Sequence, residues 1–371
     1  MPALEWISIN GFKSIKSIEK LPLANINVII GANGSGKSNF ISAFSFLHAI
    51  REGGLQTYVK SAGGADRILH FGSKETEALS IQIAFANEIN QYKIVLIPTS
   101  DDTLVPSDER GYYWNKSAGH DYPYDTPIRG QGLEAGISNP NNKGISSHIK
   151  DHLDRWRLYH FHDVGRASPM KKNAAINDNR FLRQDGSNLP AFLYFLRERH
   201  PTEYGLIRAT VHSVAPFFDD FILEPLNLES GFIRLEWRHK GSDAYFDVSS
   251  FSDGTLRFIA LATLFLQPES IRPSVIIVDE PELGLHPVAI SKFAAMARSA
   301  SVKSQIIVST QSPLLLDQFE PEEVLIAERE NGATVVKRLE RPGLSEWLEN
   351  YSLGELWEKN EFGGRPNRGA E

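Results

Sequence analysis

Eight residues, "GANGSGKS" from Gly31 to Ser38, carry the G-x-x-x-x-G-K-[ST] spacing of a phosphate-binding loop. The chemistry follows from the residue types. Across Asn33, Gly34, Ser35 and Gly36, the glycines let successive backbone N–H groups turn inward around phosphate oxygens, at the positive end of a helix. Lys37 supplies a compact positive charge for the β- and γ-phosphates of ATP, and the Ser38 hydroxyl is suited to ligate Mg2+. A glycine-rich turn that binds nothing is the alternative. Context weighs against it, because a buried-strand pattern precedes the loop and a helical pattern follows.

A second constellation is "VIIVDEP", an apolar strand pattern ending in Asp279 and Glu280. Two adjacent carboxylates at a strand end are costly unless a cation or a partner compensates them. Asp279 fits a Mg2+ ligand, acting through water, and Glu280 fits the general base that orients and activates an attacking water. A pair of acids that merely caps the next turn is the bland alternative. The third constellation is "FSDGTLRFIALATLF", in which Ser252, Asp253, Gly254 and Thr255 open a long apolar helix pattern. Ser252 or Asp253 could be an ordinary N-cap. A serine hydroxyl and free N–H groups at a helix start are also an anion site, and Gly254 would admit a close approach that a side chain blocks.

The elements that must position these residues can be read from periodicity. "NINVIIG" (25–31), "SVIIVDEP" and "SQIIVSTQSP" read as buried strands, and residues 37–52 as a helix with Phe40, Ile41, Phe44, Leu47 and Ile50 on its apolar side. "HPVAISKFAAMARSA" is a helix with Pro287 in its first turn. "LEWISINGFKSI" alternates like an edge strand. "LSIQIAFAN" and "YKIVLIP" form one expected hairpin. "GFIRLEWRHKGSDAYFDV" is another, with Ile233, Leu235 and Trp237 on one face. "EVLIAERENGATVVKRL" is a third, turning at Asn331-Gly332. Residues 99–150 are polar, rich in Gly, Pro, Asn and Asp, and read as a long loop. Helical patterns fill 150–222. The expected fold class is α/β: a nucleotide-binding core in two sequence segments, with an N-terminal antiparallel β-subdomain and a helical insertion. The expected division is 1–98, 99–230 and 231–371.

Composition narrows the class. The chain has 371 residues and no cysteine, which excludes disulfides, thiolate zinc sites and a thiol nucleophile, and fits a reducing compartment. No signal-peptide pattern and no apolar run of bilayer length is present, so a cytoplasmic protein without membrane association is expected. Net charge is −7, against a surface that coats nucleic acid generally. Residues 155–200 are the exception, with nine Lys/Arg and four acids. That segment could bind a DNA or RNA backbone; a solvated helix face or a contact with acidic parts of a partner subunit is the alternative.

Ser38 and Asp279 stand 241 positions apart, and Ser252 precedes Asp279 by 27. This order resembles the ABC-type ATPases, where a signature motif opens a helix shortly before the Walker B strand. "SDGT" looks like the variant of the RecF-like and SMC-like branch and its AAA ATPase relatives. The resemblance covers roughly 1–85 and 230–371. It implies a homodimer in which Ser252, Asp253 and Gly254 of one copy face the ATP held by another. "GFKSI" resembles the family's first-strand motif, which brings Lys13 and Ser14 toward the nucleotide; solvent-facing polar residues are an equal alternative. "DEPELGLHP" resembles Walker B plus D-loop, with Leu283 to His286 at the dimer interface, although His286 reads equally as a loop histidine. "IIVSTQSPLLLDQF" resembles the switch strand, with Gln311 where the family carries histidine. Glutamine can hydrogen-bond phosphate or water but cannot become cationic, which puts fast hydrolysis in question.

"RWRLYHFHDVG" stands at the family's Q-loop position without a clear glutamine. His160, His162 and Asp163 there could ligate a metal, but the structural reading is favoured. No heptads and no zinc hook accompany the core, and the 60 residues after Gln311 are too few for the Toprim nuclease of OLD-type relatives. The resemblance therefore implies an ATP-hydrolysing switch in DNA repair or anti-phage defence, with a separate effector such as a nuclease. The alternatives are the ATP-binding subunit of a transporter and a non-hydrolysing scaffold.

Overall fold

The run Ile26–Ile30 is buried at every position in the computed structural model, which describes residues 4–85, 87–130, 132–226, 231–341 and 344–364. The chain divides into two units, one of residues 1–156 with 319–371 and the other of residues 157–318.

In the first unit, Ile26–Ile30 pairs in parallel with Val324–Glu330, which pairs antiparallel with Ala333–Arg338. The turn between the last two holds Asn331 at φ 50° and Gly332 at φ 80°, the positive angles that favour Asn-Gly in a two-residue hairpin. Helix Lys37–Arg51 follows the first strand and buries Phe40, Ile41, Phe44, Leu47 and Ile50, as their spacing predicts.

The same unit holds an antiparallel sheet ordered Ile15–Pro22, Leu4–Phe12, Leu79–Phe85, Asn90–Pro98, Leu104–Tyr113, Tyr124–Pro127. Two expectations change here. Leu4–Phe12 is an interior strand, paired on both sides, because its polar residues have partners within the sheet. The Ser8 hydroxyl accepts from Lys20 N at 2.8 Å. Residues 99–150 contain a ten-residue strand, Leu104–Tyr113, before helix Ile145–Leu153 opens the helical stretch as its pattern predicts. The polar letter that hid this strand is Glu109. Its buried carboxylate accepts from Gly136 N (2.6 Å), Ile137 N (2.8 Å) and the Tyr92 hydroxyl (2.9 Å), and burial raises its pKa. An acid satisfied three times over fastens the segment rather than disrupting it.

In the second unit, Gln305–Thr310 and Val275–Asp279 pair in parallel with Asp279 opposite Ser309. Helix Asp253–Leu266 buries every residue from Leu256 to Phe265, and Pro287–Ser301 begins on its proline. Leu189–Arg199 and Pro201–Val214 supply the helical insertion. The hairpin expected over 231–248 is split. Glu236–His239 pairs with Tyr245–Asp247, while Phe232–Ile233 pairs with Ala174–Ala175. Ile233, Leu235 and Trp237 are all buried nonetheless. Trp237 stacks between Phe246 (5.0 Å) and Phe251 (4.6 Å), which anchors the chain just before the Ser252 helix start. Among the described residues no helix is long and apolar enough to cross a membrane.

Candidate functional site

The strand Ile26–Ile30 runs into Gly31, and the helix begins at Lys37 with Gly36 as N-cap at φ 103°. No side chain caps this helix and its first turn holds no acid, so its positive end is left for an outside anion. Gly34 sits at φ 80° with open space where a Cβ would stand. A Cβ on Gly36 would collide with the Thr334 hydroxyl, and one on Gly31 with the Ala327 carbonyl. Lys37 is buried, its ammonium donating to the carbonyls of Gly31 (2.6 Å) and Ala32 (3.1 Å). The Ser35 hydroxyl is buried without a partner, while Asn33, Gly34 and Ser38 are exposed. An anion-accepting helix start beside a buried cation fits a phosphate group.

Lys13 and Ser14 brace this loop from its scaffold. Asn39 Nδ2 donates to the Ser14 hydroxyl (2.7 Å), Ser14 pairs with Thr334 Oγ1 (2.7 Å), and Thr334 Oγ1 donates to the Ser35 carbonyl (2.9 Å). Lys13 sits in a turn at φ 49° and reaches Ser42 on the helix (2.9 Å); burial lowers its pKa. Thr334 is a site-building residue that sequence reasoning missed, since nothing in "NGATVV" marks it as the partner of a loop so far upstream.

In the second unit, Ser309 Oγ donates to the Asp279 carboxylate. Glu280 follows in the left-handed region at φ 42°, its N–H donating to the Ser309 carbonyl at 3.0 Å. That backbone costs about 1–2 kcal/mol for a residue with a Cβ, and such outliers concentrate at functional sites. Gln311 Nε2 donates to the Glu280 carboxylate. A third acid, Glu282, also went unremarked in sequence. It is buried, and one oxygen accepts from Thr310 Oγ1 (2.6 Å) and Gln311 N (3.2 Å), while the other is buried with no partner. Burial raises its pKa, the hydrogen bonds acting against the shift.

At the signature stretch, the Ser252 hydroxyl is the helix N-cap, accepting from Thr255 N (3.1 Å) and pairing with Thr255 Oγ1 (2.8 Å). Asp253 forms an ion pair with Lys171 at 3.3 Å. Gly254 is required by packing: a Cβ there would collide with the Gly284 carbonyl. Arg257, one turn on, is buried and donates to the carbonyls of Phe161 (2.8 Å) and His162 (3.1 Å). His162 Nε2 in turn lies 2.7 Å from the Asp279 carbonyl. The "HFHD" stretch thus links the signature helix to the end of the carboxylate strand. Burial lowers the pKa of His160, with Asp279 opposing the shift. Among the described residues no group of three or more His, Asp and Glu could hold a metal ion. His286 caps helix Pro287–Ser301, accepting from Val288 N.

Within 157–200, Lys171, Arg183 and Arg197 are ion-paired with Asp253, Asp178 and Glu198 respectively. Arg157 lies over the Phe181 ring, 5.0 Å from its centroid. Part of the basic charge is therefore neutralised inside its own unit.

A family model described as "AAA domain, putative AbiEii toxin, Type IV TA system" matches residues 26–317. Among solved structures, the chain is similar to the Smc head bound to the C-terminal winged-helix domain of ScpA, with TM-score 0.60 and 19% identity over 91% of this chain and 99% of that one. It is also similar to a Pyrococcus furiosus Smc head with an extended coiled coil bound to the C-terminal domain of ScpA (TM-score 0.59, 18% identity, 94% and 99% covered). A third is a Pyrococcus yayanosii Smc head with a coiled coil and joint (TM-score 0.54, 14% identity, 94% and 99% covered). At these identities the likeness is one of fold. Among curated proteins, Urease accessory protein 2 of Cryptococcus neoformans var. grubii is 28% identical over 196 residues, 49% of this chain and 15% of that protein's length.

Proposed function

Because the chain belongs to the AAA family described as "AAA domain, putative AbiEii toxin, Type IV TA system", and shares the P-loop fold of Smc heads, we propose that this SMC/AAA-type ATPase binds ATP with Mg2+ and hydrolyses it as a two-state switch. The observation that carries the reading is the uncapped, acid-free start of helix Lys37–Arg51 beside the buried Lys37 ammonium.

The roles follow from the groups each unit offers. The N–H groups of Asn33 to Ser38 cradle the phosphates, and Lys37 moves its donors from the loop carbonyls to the β- and γ-oxygens. Ser38 and Asp279 supply the hard oxygen donors that Mg2+ prefers, and when bound the ion neutralises phosphate charge. Glu280 takes the proton of a water that attacks the γ-phosphorus, as the bond to the bridging oxygen breaks and ADP leaves. Gln311 fixes one Glu280 oxygen and leaves the other for that water.

In functional terms the chain is core, insertion and core, at 1–98, 99–230 and 231–371. Ser252, Asp253 and Gly254 of one copy complete the nucleotide site of a second copy. The Ser252 hydroxyl is exposed at the start of its helix, which supports this reading. The ATP-driven homodimer would act with a separate effector, such as a nuclease, in DNA repair or anti-phage defence; the family's description as a putative toxin leans toward defence. The basic segment 155–200 is the candidate DNA contact. A non-hydrolysing scaffold is the second reading, favoured by the Gln311 bond that already occupies Glu280. Equilibrium binding of Mg2+–ATP to wild type and Lys37→Ala tests the proposal. A loss of about a hundredfold is expected on removing a charge-assisted contact; equal affinity would remove the loop from the account.

A further inference from the structure

Gly363 and Gly364 belong to none of the motifs above. They follow helix Leu353–Lys359, which buries Leu353, Leu356 and Trp357 and ends on Asn360 at φ 63°. Gly363 stands at φ 86° and Gly364 at φ 84°, where a side chain is strained. The surrounding space is also filled. A Cβ on Gly363 would collide with the Glu328 carboxylate, and one on Gly364 would stand 3.1 Å from Trp357 Nε1 and 3.3 Å from Ile326 Cγ2.

This peptide holds the mouth of the phosphate loop. Gly364 N donates to Glu328 Oε1 at 2.7 Å, and the Gly364 carbonyl accepts from Ala32 N at 2.6 Å. Ala32 N–H shares one planar peptide group with the Gly31 carbonyl. That carbonyl is the nearer acceptor of the Lys37 ammonium, at 2.6 Å. One rigid plane is thus gripped on one edge by Gly364 and on the other by Lys37. Its rotation would move the lysine's acceptor. The strand beneath keeps register with both, because Ile326 and Glu328 face the two glycines while the Ala327 carbonyl fills the space under Gly31.

We propose that Gly363, Gly364 and Glu328 form a clasp that sets the orientation of the Gly31–Ala32 peptide and, through it, the position of Lys37. Glu328 is then a positioning residue for nucleotide binding, an assignment that rests on the loop being the ATP site. The clasp makes ATP affinity depend on the segment that follows Lys359.

The test uses the full chain with Glu328→Ala, Glu328→Gln and Gly363→Val. Three quantities are measured: the Kd for Mg2+–ATP by calorimetry, amide hydrogen exchange at Ala32 without nucleotide, and thermal unfolding. The first substitution should weaken ATP about tenfold, the scale of one hydrogen bond to a charged acceptor. It should also speed exchange at Ala32 while exchange in the strand Ile26–Ile30 stays unchanged. The glutamine, whose amide oxygen can still accept from Gly364 N, should restore both values, and the valine should reproduce the alanine phenotype. Wild-type affinity and wild-type Ala32 exchange in both Glu328→Ala and Gly363→Val would overturn the clasp. If the wild type itself binds no ATP, the reading of the loop fails, and unchanged or accelerated exchange at Ala32 still decides the clasp.

Discussion

Gln311 donates its side-chain amide to the carboxylate of Glu280, and the backbone N–H of Gln311 is itself held by Glu282 at 3.2 Å. Gln311 is therefore attached through both its backbone and its side chain to acids of the 279–282 segment. A neutral amide can orient a carboxylate without neutralising it, which suits a general base better than a restraining partner.

Removing that amide should cost rate and spare affinity. For Gln311→Ala, steady-state kinetics should show kcat falling about tenfold with KM for ATP unchanged, since orientation of the base matters only in the transition state. A rise in kcat would mean that the bond restrains Glu280, as in the scaffold reading.

Gly254→Ala should destabilise the second unit. In an ordinary helix this change is stabilising by about 0.5–1 kcal/mol. Here the added Cβ meets the Gly284 carbonyl, and overpacking costs about 1–3 kcal/mol. Denaturant unfolding should show a lower midpoint at constant slope; a midpoint equal to or above wild type contradicts the packing reason for this glycine.

Ser252→Arg should leave ATP affinity near wild type while abolishing ATP-dependent dimerisation, measured by light scattering in a Glu280→Gln background. Because Ser252 caps its helix, the control is Ser252→Asn, which keeps a capping oxygen; the lost cap alone is worth about 1 kcal/mol. An arginine variant that still dimerises with ATP would remove the composite site.

The pKa of Glu282 carries a pH signature. Burial raises it above the unfolded value of 4.5, so its stabilising contribution is full below pH 4.5 and is lost as pH rises through the folded value. Glu282→Gln, whose amide does not titrate, should therefore gain stability relative to wild type as pH is raised from 4.5 toward 7. Parallel stability curves for the two proteins over that window would refute the shift.

The parts legible in sequence are those whose chemistry sits in one contiguous stretch. The loop 31–38 carries its glycines, lysine and serine together, and the apolar run before Asp279 reads directly as a buried strand. What stayed hidden is held by tertiary approach. Thr334 and Gly364 reach the loop from distant segments and have ordinary letters around them. The Gly284 carbonyl, which already requires a glycine at 254, likewise comes from a separate stretch of the chain. Leu104–Tyr113 read as loop because Pro106, Asp108 and Glu109 interrupt the alternation, and the partners that bury Glu109 come from residues 136 and 137. Ser252 was legible as a cap from residue type alone, and it is one.

The central claim is that this chain hydrolyses ATP with Glu280 as the base. Phosphate release at saturating Mg2+–ATP from wild type and from Glu280→Gln tests it most directly. The account predicts steady release by the wild type and, in the variant, a loss of at least about a hundredfold with ATP still bound. No release from either protein, or equal release from both, would contradict it.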